Sequence, residues 1–415
     1  MPEVWSEKRL GDVIELKRGY DLPTSKRVAG ATPIISSSGP TGRHNQPKVA
    51  APGVVTGRYG TIGQVFYVSE DFWPLNTTLY VRDFKGNDPR FISYFLRGVD
   101  FMAYSDKAAV PGVNRNHLHE AQVRIPNVDT QKSVARVLGA LDDKIELNRR
   151  MNETLEEMAR ALFRDWFVDF GPTRRQMAGA TDPAAILGQA FPADKAAPLA
   201  PLFPATLGED GLPEGWSKRP VGDLAEIVGG GTPSTKTEAF WAGGTHLWAT
   251  PRDLSKLAGV FLRETERKLS DAGLAKVSSG LSPAGSVLMS SRAPIGYLAI
   301  ASAPVAVNQG FIVLRPTERF PTHFAKLWCE ANMETIESNA NGSTFQEISK
   351  KNFKPILATV APRDTMAAFA ELTELFYGRI KSSEEENQTL AALRDLLLPK
   401  LMSGEIRLKD AEALS

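Results

Sequence analysis

The most extended feature of the hydrophobic pattern is a helical repeat between Gln131 and Val168. Apolar residues recur there every three or four positions, no proline interrupts them, and Gly139 is the only glycine. Assigned alternately to the a and d positions of a heptad, they form an unbroken seam. The seam consists of Leu138, Leu141, Ile145, Asn148, Asn152, Leu155, Ala159 and Leu162. The pattern predicts one helix roughly 55 Å long at 1.5 Å per residue.

A second helix of the same kind is predicted between Met366 and Leu401. It continues the same register at an offset of 235 positions, counted from Ile145 to Ile380. Its seam consists of Thr373, Phe376, Ile380, Ser383, Asn387, Leu390, Arg394 and Leu397. Two long helices with matching seams in one chain are expected to pair with each other.

Each seam contains an asparagine at a matching position, Asn152 and Asn387. A polar residue at an a position commonly fixes the register and partner of a coiled coil at some cost in stability. The alternative interpretation is a solvated stretch where the helix pair opens, and retention in both copies favours the register role. The acidic run 384–386 is interpreted as a solvated face.

The globular parts of the chain also repeat, which makes the chain a tandem duplication. The sequence matches are Trp5 with Trp216, Arg58 with Arg292, Ile62 with Ile295, Gly63 with Gly296, Asn76 with Asn308, and 113–116 with 343–346. Each copy is therefore expected to be one globular domain followed by one long helix.

The fold class predicted from these patterns is α+β, with two tandem mixed α/β domains that are each followed by a long helix. The predicted boundaries are 1–130 for the first domain, 131–170 for the central helix, 171–213 for an Ala/Pro-rich linker, 214–361 for the second domain, 362–404 for the C-terminal helix and 405–415 for a tail. Because prolines recur throughout the linker, it is predicted to be semi-extended, with one short helical turn near 184–187.

Alternating apolar residues and Gly-rich turns predict the same elements in both domains. In the first domain these are a hairpin of 53–56 with 64–68, a strand at 77–81 and a short helix at 89–96. In the second domain they are strands at 286–290, 297–301 and 310–314 and a helix at 321–331.

Composition narrows the functional class. The chain has 415 residues, 42% hydrophobic and 23% charged, with no run of about 18 apolar residues that would span a membrane. The N-terminus lacks the apolar core of a signal peptide, and the single cysteine, Cys329, argues against a disulfide framework and fits a reducing cytoplasm. A net charge of +1 argues mildly against a free-standing nucleic-acid binder.

Motifs for covalent chemistry are absent from the sequence. It contains no Gly-Lys dipeptide for a P-loop, no Asn-Pro-Pro-aromatic quartet, no GxGxxG opening a helix after a strand, and no HExxH or Cys/His zinc pattern. His117 and His119 could bring two metal ligands to one side of a strand, but no partner cluster lies nearby, so a polar loop is the favoured interpretation. A binding or assembly role is therefore predicted, with no catalytic residue and no metal site.

Polar loops are the candidate binding elements. Backbone amides and hydroxyls in Gly-rich turns suit phosphate contacts, whereas Arg, Asn and Gln suit base edges. Ordinary turn chemistry explains any one loop alone, but recurrence in both copies favours a binding role. The candidates in the first domain are Ser37, Ser38, Thr41, Arg43, Arg58, Tyr59, Thr61, Asn76, Asn114, Arg115 and Asn116. Those in the second domain are Ser290, Ser291, Arg292, Asn308, Gln309, Ser343, Thr344 and Gln346.

The order of domain, helix, linker, domain and helix resembles the specificity (S) subunit of type I restriction-modification systems, the HsdS family. The segment Leu162–Pro172 is similar to that family's exit from the central helix. The segment Leu397–Ile406 is similar to its C-terminal signature. The Trp-Ser openings and the turn 52–63 also match the pattern of its target-recognition domains.

This resemblance implies a non-catalytic subunit whose recognition domains each read one half of a bipartite site in double-stranded DNA. It implies an antiparallel helix pair that acts as a ruler and docks two methyltransferase (M) subunits, which restriction (R) subunits join. S-adenosylmethionine, ATP and Mg are then expected on those partners, with no cofactor on this chain. A helix of roughly 55 Å corresponds to roughly 16 base pairs at about 3.4 Å each, an upper limit on half-site separation.

Two alternatives remain open from the sequence. The first is a tandem adaptor on a coiled-coil stalk that binds protein or glycan partners, which would show no DNA dependence. The second is the recognition portion of a fused restriction enzyme. The second is disfavoured because the sequence begins with a recognition domain and carries no methylase or nuclease motif.

Overall fold

The chain forms two compact units, each with its own globular part. The first combines residues 1–147 with 386–415, and the second comprises residues 148–385. The computed structural model describes residues 5–106, 112–188, 191–342 and 346–406. Because the unit boundaries fall inside the two long helices, each unit contains a segment of both.

The first unit is a mixed α/β domain. Its strands are β1 (Trp5–Arg9), β2 (Glu15–Arg18), β3 (Thr32–Ser36), β4 (Gly39–His44), β5 (Gly53–Gly57), β6 (Val65–Val68), β7 (Trp73–Pro74), β8 (Thr78–Asp83), β9 (Ser105–Asp106), β10 (Gly112–Val113) and β11 (Gln122–Pro126). Its helices are α1 (Leu10–Val13), α2 (Pro89–Arg97), α3 (Arg115–His119) and the start of α4 (Val128–Phe167). Short 3₁₀ turns lie at Thr24–Lys26 and Phe101–Tyr104.

A sheet with the strand order β2-β8-β5-β6 forms the centre of the first unit. Every residue of β5 is buried, because this strand pairs antiparallel with β8 on one side and with β6 on the other. The predicted hairpin and the strand that follows it are therefore confirmed. Smaller sheets with the strand orders β4-β3-β7 and β1-β11 also belong to the first unit.

Helix α2 covers one face of this sheet. Asp88 caps its first turn by accepting a 2.8 Å hydrogen bond from the backbone N–H of Phe91, and Pro89 occupies the first helical position. Phe91 packs in one buried cluster with Val54 and Leu79 from the sheet. The short helix predicted at 89–96 is confirmed.

The second unit repeats this architecture with insertions. Its strands are β12 (Ser217–Pro220), β13 (Glu226–Val228), β14 (His246–Ala249), β15 (Phe261–Leu262), β16 (Arg267–Leu269), β17 (Val287–Ser291), β18 (Ile295–Ala301), β19 (Val305–Val307), β20 (Phe311–Arg315) and β21 (Leu357–Val360). Its helices are α5 (Gly171–Met177), α6 (Pro183–Leu187), α7 (Ala193–Ala196), α8 (Val221–Leu224), α9 (Pro251–Ser255), α10 (Asp271–Leu274), α11 (Thr322–Ala331), α12 (Met333–Ser338), α13 (Lys350–Phe353) and the start of α14 (Arg363–Ser403). Further 3₁₀ turns lie at Ala200–Leu202 and Glu238–Phe240.

The central sheet of the second unit has the order β13-β20-β17-β18-β15. Its first four strands match β2-β8-β5-β6 in order and direction, and β17 is fully buried as β5 is. The strands predicted at 286–290, 297–301 and 310–314 and the helix at 321–331 are therefore confirmed. A separate sheet has the order β16-β14-β19.

The long helices α4 and α14 run antiparallel within each unit. In the first unit, Asp142 accepts a 2.8 Å hydrogen bond from Arg394, and Lys144 lies 3.4 Å from Glu386. The residue numbers therefore rise along one helix as they fall along the other. In the second unit, the ring centroids of Phe163 and Phe369 lie 6.1 Å apart.

Most of the predicted seam is buried in these two pairings. Leu138, Leu141 and Leu397 share one cluster in the first unit, and Leu162 and Ile380 share another in the second. Leu155, Phe376 and Leu390 are partly buried against those clusters. Ile145 and Asn387 are half-buried, whereas Asn152 is buried with 9% of its surface exposed.

The described residues of the segment 171–213, which are 171–188 and 191–213, are folded, contrary to the prediction of a semi-extended linker. Besides the predicted turn, now α6, it contains α5, α7 and a 3₁₀ turn. Apolar side chains from these turns, among them Leu187 and Phe203, join the core of the second unit. Phe203 packs edge-on against Trp166 of α4 with 4.7 Å between ring centroids. Burial of these side chains explains why a proline-rich sequence becomes ordered here.

The acidic run 384–386 is not simply a solvated face. The Glu384 side chain is 12% exposed and pairs with Arg263, which is itself 15% exposed. Glu384 also accepts a 2.7 Å hydrogen bond from the backbone N–H of Val260. A loop of the second globular part is thereby anchored to α14.

Candidate nucleic-acid interface

Three loops of the first unit meet at one edge of its central sheet. The backbone N–H of Arg58 donates to the carbonyl oxygen of Thr77 at 2.9 Å, and the N–H of Val113 donates to the carbonyl oxygen of Arg58 at 3.1 Å. A side chain at Gly57 would lie 1.9 Å from the carbonyl oxygen of Thr61. Glycine at that position therefore allows the loop after β5 to fold back closely on itself.

These loops present polar side chains that the sequence predicted. The Arg58 guanidinium lies 4.6 Å from the centroid of the Tyr59 ring, and Tyr59 is 36% exposed. Asn114 caps α3 by accepting a 3.0 Å hydrogen bond from the N–H of Asn116, which leaves Arg115 exposed beside it. Ser37, Ser38 and Thr61 also lie on turns that are half-buried or exposed.

Thr41 and Arg43 are exposed on β4, where their contacts lead away from this group of loops. The carbonyl oxygen of Thr41 accepts a 3.4 Å hydrogen bond from Arg27, and Arg43 lies 3.6 Å from Glu70. Neither residue shares a described contact with Arg58 or Asn76.

The corresponding loops of the second unit also converge. The N–H of Ser291 donates to the carbonyl oxygen of Gly310 at 2.8 Å, and the N–H of Ile348 donates to the carbonyl oxygen of Ser291 at 3.0 Å. Arg292 forms a 3.5 Å ion pair with Glu347. Gln309 and Gln346 are exposed, whereas Ser343 and Thr344 lie outside the described residues.

Strand pairing fixes how the two groups of loops correspond. The pairing of the central strands in one unit matches the pairing in the other unit at a constant offset of 233 positions. The hydrogen bonds of the adjoining loops match at the same offset. The matched pairs are Val55–Tyr80 with Leu288–Val313, and Arg58–Thr77 with Ser291–Gly310.

The match of Arg58 with Arg292 and of Asn76 with Asn308 is therefore wrong by one position. The structural counterparts are Ser291 for Arg58 and Gln309 for Asn76. Sequence alignment favoured the identical residues, but hydrogen-bond register decides which backbone positions are equivalent.

The match of 113–116 with 343–346 is also wrong. Val113 and Ile348 make the same backbone bond to their neighbouring loops, so 114–116 corresponds to 349–351. Ser349 caps α13 as Asn114 caps α3, by accepting a 3.2 Å hydrogen bond from the N–H of Asn352. Lys350 and Lys351 are exposed and occupy the positions of Arg115 and Asn116.

Three predicted contacts of the second domain have structural roles. Ser290 and Ser291 are buried in β17, and the Ser290 hydroxyl donates to the carbonyl oxygen of Pro294 at 2.8 Å and accepts from the N–H of Tyr297 at 2.8 Å. Asn308 accepts a 2.8 Å hydrogen bond from the N–H of Gly310 and thereby shapes the turn. Burial removes the two serines from any surface that could reach a ligand.

Sequence reasoning missed the loop that follows the first strand of the central sheet in each unit, β2 in the first and β13 in the second. In the second unit it begins with the glycines 229–231, and two indole N–H groups hold it. Trp248 donates to the carbonyl oxygen of Gly231 at 3.1 Å, and Trp241 donates to that of Ser234 at 3.0 Å. The glycine run was the available signal, since Gly often marks a close backbone approach.

His117 and His119 lie on helix α3, not on a strand. The Nε2 atom of His119 accepts a 3.0 Å hydrogen bond from the N–H of Leu16, and burial lowers the pKa of this imidazole. Within the described residues, no group of three His, Cys, Asp or Glu side chains could hold a metal ion. No helix in the described ranges is both long and apolar enough to cross a membrane.

Known proteins are similar to this chain in sequence and in architecture. The family of the type I restriction modification DNA specificity domain matches residues 2–157 and 213–358. The HindI specificity subunit of Haemophilus influenzae is 28% identical over 340 residues, which cover 74% of this chain and 73% of that protein. The MjaIX specificity subunit of Methanocaldococcus jannaschii is 29% identical over 181 residues, which cover 43% of this chain and 42% of that protein.

A solved structure agrees with the fold. The crystal structure of a type I restriction-modification S subunit from M. genitalium has a TM-score of 0.55, 15% identity and 96% coverage of both chains. The family match covers both globular parts and most of the chain's length. The chain therefore belongs to the family of type I restriction-modification DNA specificity subunits.

Proposed function

We propose that this non-catalytic specificity subunit reads a bipartite site in double-stranded DNA, with one half-site for each target-recognition domain. The observation that supports the proposal is the pair of loop groups built on the same edge of two equivalent sheets. Both groups combine backbone amides, short polar side chains and exposed cations, which suit phosphate and base-edge contacts. We assign 1–130 and 214–361 as the two recognition domains.

Most of the residues that the sequence predicted for the first domain remain as proposed contacts to the first half-site. They are Ser37, Ser38, Arg58, Tyr59, Thr61, Asn76, Asn114, Arg115 and Asn116. For the second half-site we propose Arg292, Gln309, Gln346, Lys350 and Lys351. The two sets differ in side-chain identity at equivalent positions, as expected if the two domains read different bases.

We further propose that the helix segments dock two methyltransferase (M) subunits, which restriction (R) subunits join. Each unit leaves large apolar side chains exposed on its helices, which are available for contact with a partner protein. In the first unit these are Leu147 at 61% and Leu396 at 57% exposure. In the second they are Met158 at 48% and Leu375 at 70%. S-adenosylmethionine, ATP and Mg belong to these partners.

The length of the helices is proposed to set the unread spacer between the half-sites. Helix α4 has 40 residues and α14 has 41, so each is about 60 Å long at 1.5 Å per residue. Removing one heptad shortens a helix by about 10.5 Å, which corresponds to about three base pairs.

The test is selection of methylated DNA from a random library by the chain assembled with its methyltransferase subunits. The wild-type complex is expected to select one gapped, two-part motif. A variant that lacks one heptad from each helix is expected to select the same bases with a spacer about three base pairs shorter. An unchanged spacer would refute the ruler, and selection of no motif would favour a protein or glycan adaptor.

A further inference from the structure

The missed loops form a side-chain hydrogen bond at equivalent positions in the two units. In the first unit the Nδ2 atom of Asn76 donates to Oδ1 of Asp21. In the second unit the Thr232 hydroxyl donates to Oε1 of Gln309. Asn76 and Gln309 are structural counterparts, so both units anchor the residue at this position from the same neighbouring loop.

The backbone around each bond is also equivalent. The N–H of Tyr20 donates to the carbonyl oxygen of Pro74 at 2.8 Å, and the N–H of Gly231 donates to that of Val307 at 3.0 Å. The preceding glycines, Gly19 and Gly230, could not carry a side chain. Their Cβ atoms would lie 2.1 Å and 1.9 Å from backbone carbonyl oxygens. The close loop contact is therefore part of the architecture and not an incidental surface contact.

The chemistry of the bond nevertheless differs between the two units. The Asp21 carboxylate can only accept hydrogen bonds, so it holds the NH₂ group of Asn76 and leaves the amide oxygen outward. The Thr232 hydroxyl donates to the amide oxygen of Gln309 and leaves the NH₂ group outward. One unit thus presents an acceptor and the other presents a donor at equivalent positions.

We infer that Asp21 and Thr232 are specificity-determining positioning residues, which set the polarity of the amide that meets a base edge. The inference rests on the proposed DNA-reading function. An outward amide oxygen selects an exocyclic amino group, adenine N6 or cytosine N4. An outward NH₂ group selects an acceptor such as guanine O6 or N7 or thymine O4.

The charge of the first pair strengthens its preference. The Asp21 side chain is 71% exposed, and Arg18 lies 3.9 Å from it. Rotation of the Asn76 amide would turn its oxygen toward this carboxylate, which has no proton to donate. In the second pair a hydroxyl can donate or accept, so the orientation of Gln309 is less strictly enforced.

The test is the same library selection, applied to Asp21→Asn and Thr232→Val. Asp21→Asn keeps the shape but lets the Asn76 amide rotate, so one position of the first half-site is expected to lose about tenfold discrimination. Thr232→Val keeps the volume and removes the donor, so one position of the second half-site is expected to relax. Each variant serves as the control for the other, since the opposite half-site stays unchanged.

A coupling measurement keeps the test valid if a variant weakens binding overall. Asn76→Ala should relax the same single position as Asp21→Asn, and the double variant should cause no further loss there. Unchanged motifs in both single variants, or additive losses at different positions, would overturn the inference. Failure of the wild-type complex to select any two-part motif would instead overturn the proposed function.

Discussion

The two recognition domains rest on the helices through different chemistry, although the architecture is the same. In the first unit, Tyr94 of α2 donates a 2.7 Å hydrogen bond to Asp142 of α4. Arg90 forms two bonds to Asp143, at 2.9 and 2.7 Å. Gly139 makes room for this guanidinium, because a Cβ atom there would lie 2.8 Å from its central carbon.

In the second unit a single buried cation takes the central place. Lys326 of α11 is 3% exposed and lies 2.6 Å from Glu330 and 3.3 Å from Glu156 of α4. Its ammonium also lies 3.5 Å from the hydroxyl of Tyr377 on α14. Burial lowers the pKa of Lys326, but Tyr377, Glu330 and Glu156 together raise it above its usual value.

Tyr94 and Lys326 each lie five residues after a proline near the start of their helices, Pro89 and Pro321. Each contact reaches a carboxylate of α4, but a neutral hydroxyl makes the first contact and a cation makes the second. The difference is one of charge. Tyr94 and Lys326 are both almost fully buried, at 1% and 3% exposure, but only Lys326 carries a charge that nearby carboxylates balance. Loss of Lys326 should therefore cost more than loss of Tyr94.

The largest effect is expected for Lys326→Met. Methionine keeps the aliphatic volume but removes the buried cation that Glu156 and Glu330 share, and leaves them with Arg160, which is 49% exposed, as their remaining cation among the described residues. We expect the free energy of unfolding to fall by about 3 kcal/mol, as measured by chemical denaturation. The matched variant in the first unit, Tyr94→Phe, should cost about 1 kcal/mol, because Asp142 retains its bond to Arg394. Equal losses would contradict the comparison.

A smaller, pH-dependent effect is expected at His323. This imidazole stacks on the Tyr377 ring with 4.3 Å between centroids, and burial together with nearby Lys326 lowers its pKa to about 4. Glu374 lies 3.7 Å away but is 72% exposed, so its attraction does not offset burial. The folded state stays neutral while the unfolded state takes up a proton below about pH 6.5.

The unfolding free energy should therefore decrease as the pH falls from about 6.5 to about 4, by about 2 kcal/mol between pH 7 and pH 5. His323→Phe keeps the stacking and removes the proton uptake. Denaturation curves recorded across this range should show wild type and variant diverging below pH 6.5. Parallel pH dependence would show that His323 does not carry the effect.

The long helices were predictable because a heptad seam is a local signal. The predicted spans 131–168 and 366–401 differ by a few residues from Val128–Phe167 and Arg363–Ser403. The repeated strands were predictable for the same reason, since their alternation and turns lie close together in sequence. The fold class and the family resemblance therefore required no tertiary information.

The errors arose where long-range contacts decide the outcome. The alignment of the two domains depends on strand pairing, which makes Gln309 and not Asn308 the structural counterpart of Asn76. The linker became ordered because side chains such as Phe203 found a core, and Glu384 became buried because a distant loop supplied Arg263. The bonds of Asp21 and Thr232 link residues 55 and 77 positions away, beyond any local pattern.

Exchange of one recognition domain tests the central claim most directly. Residues 1–130 would be replaced by the corresponding domain of another specificity subunit, and adenine methylation would be mapped across the host genome. We predict that one half of the gapped motif changes while the other half and the spacer stay as in wild type. A change in both halves, or in neither, would contradict the account of two independent readers.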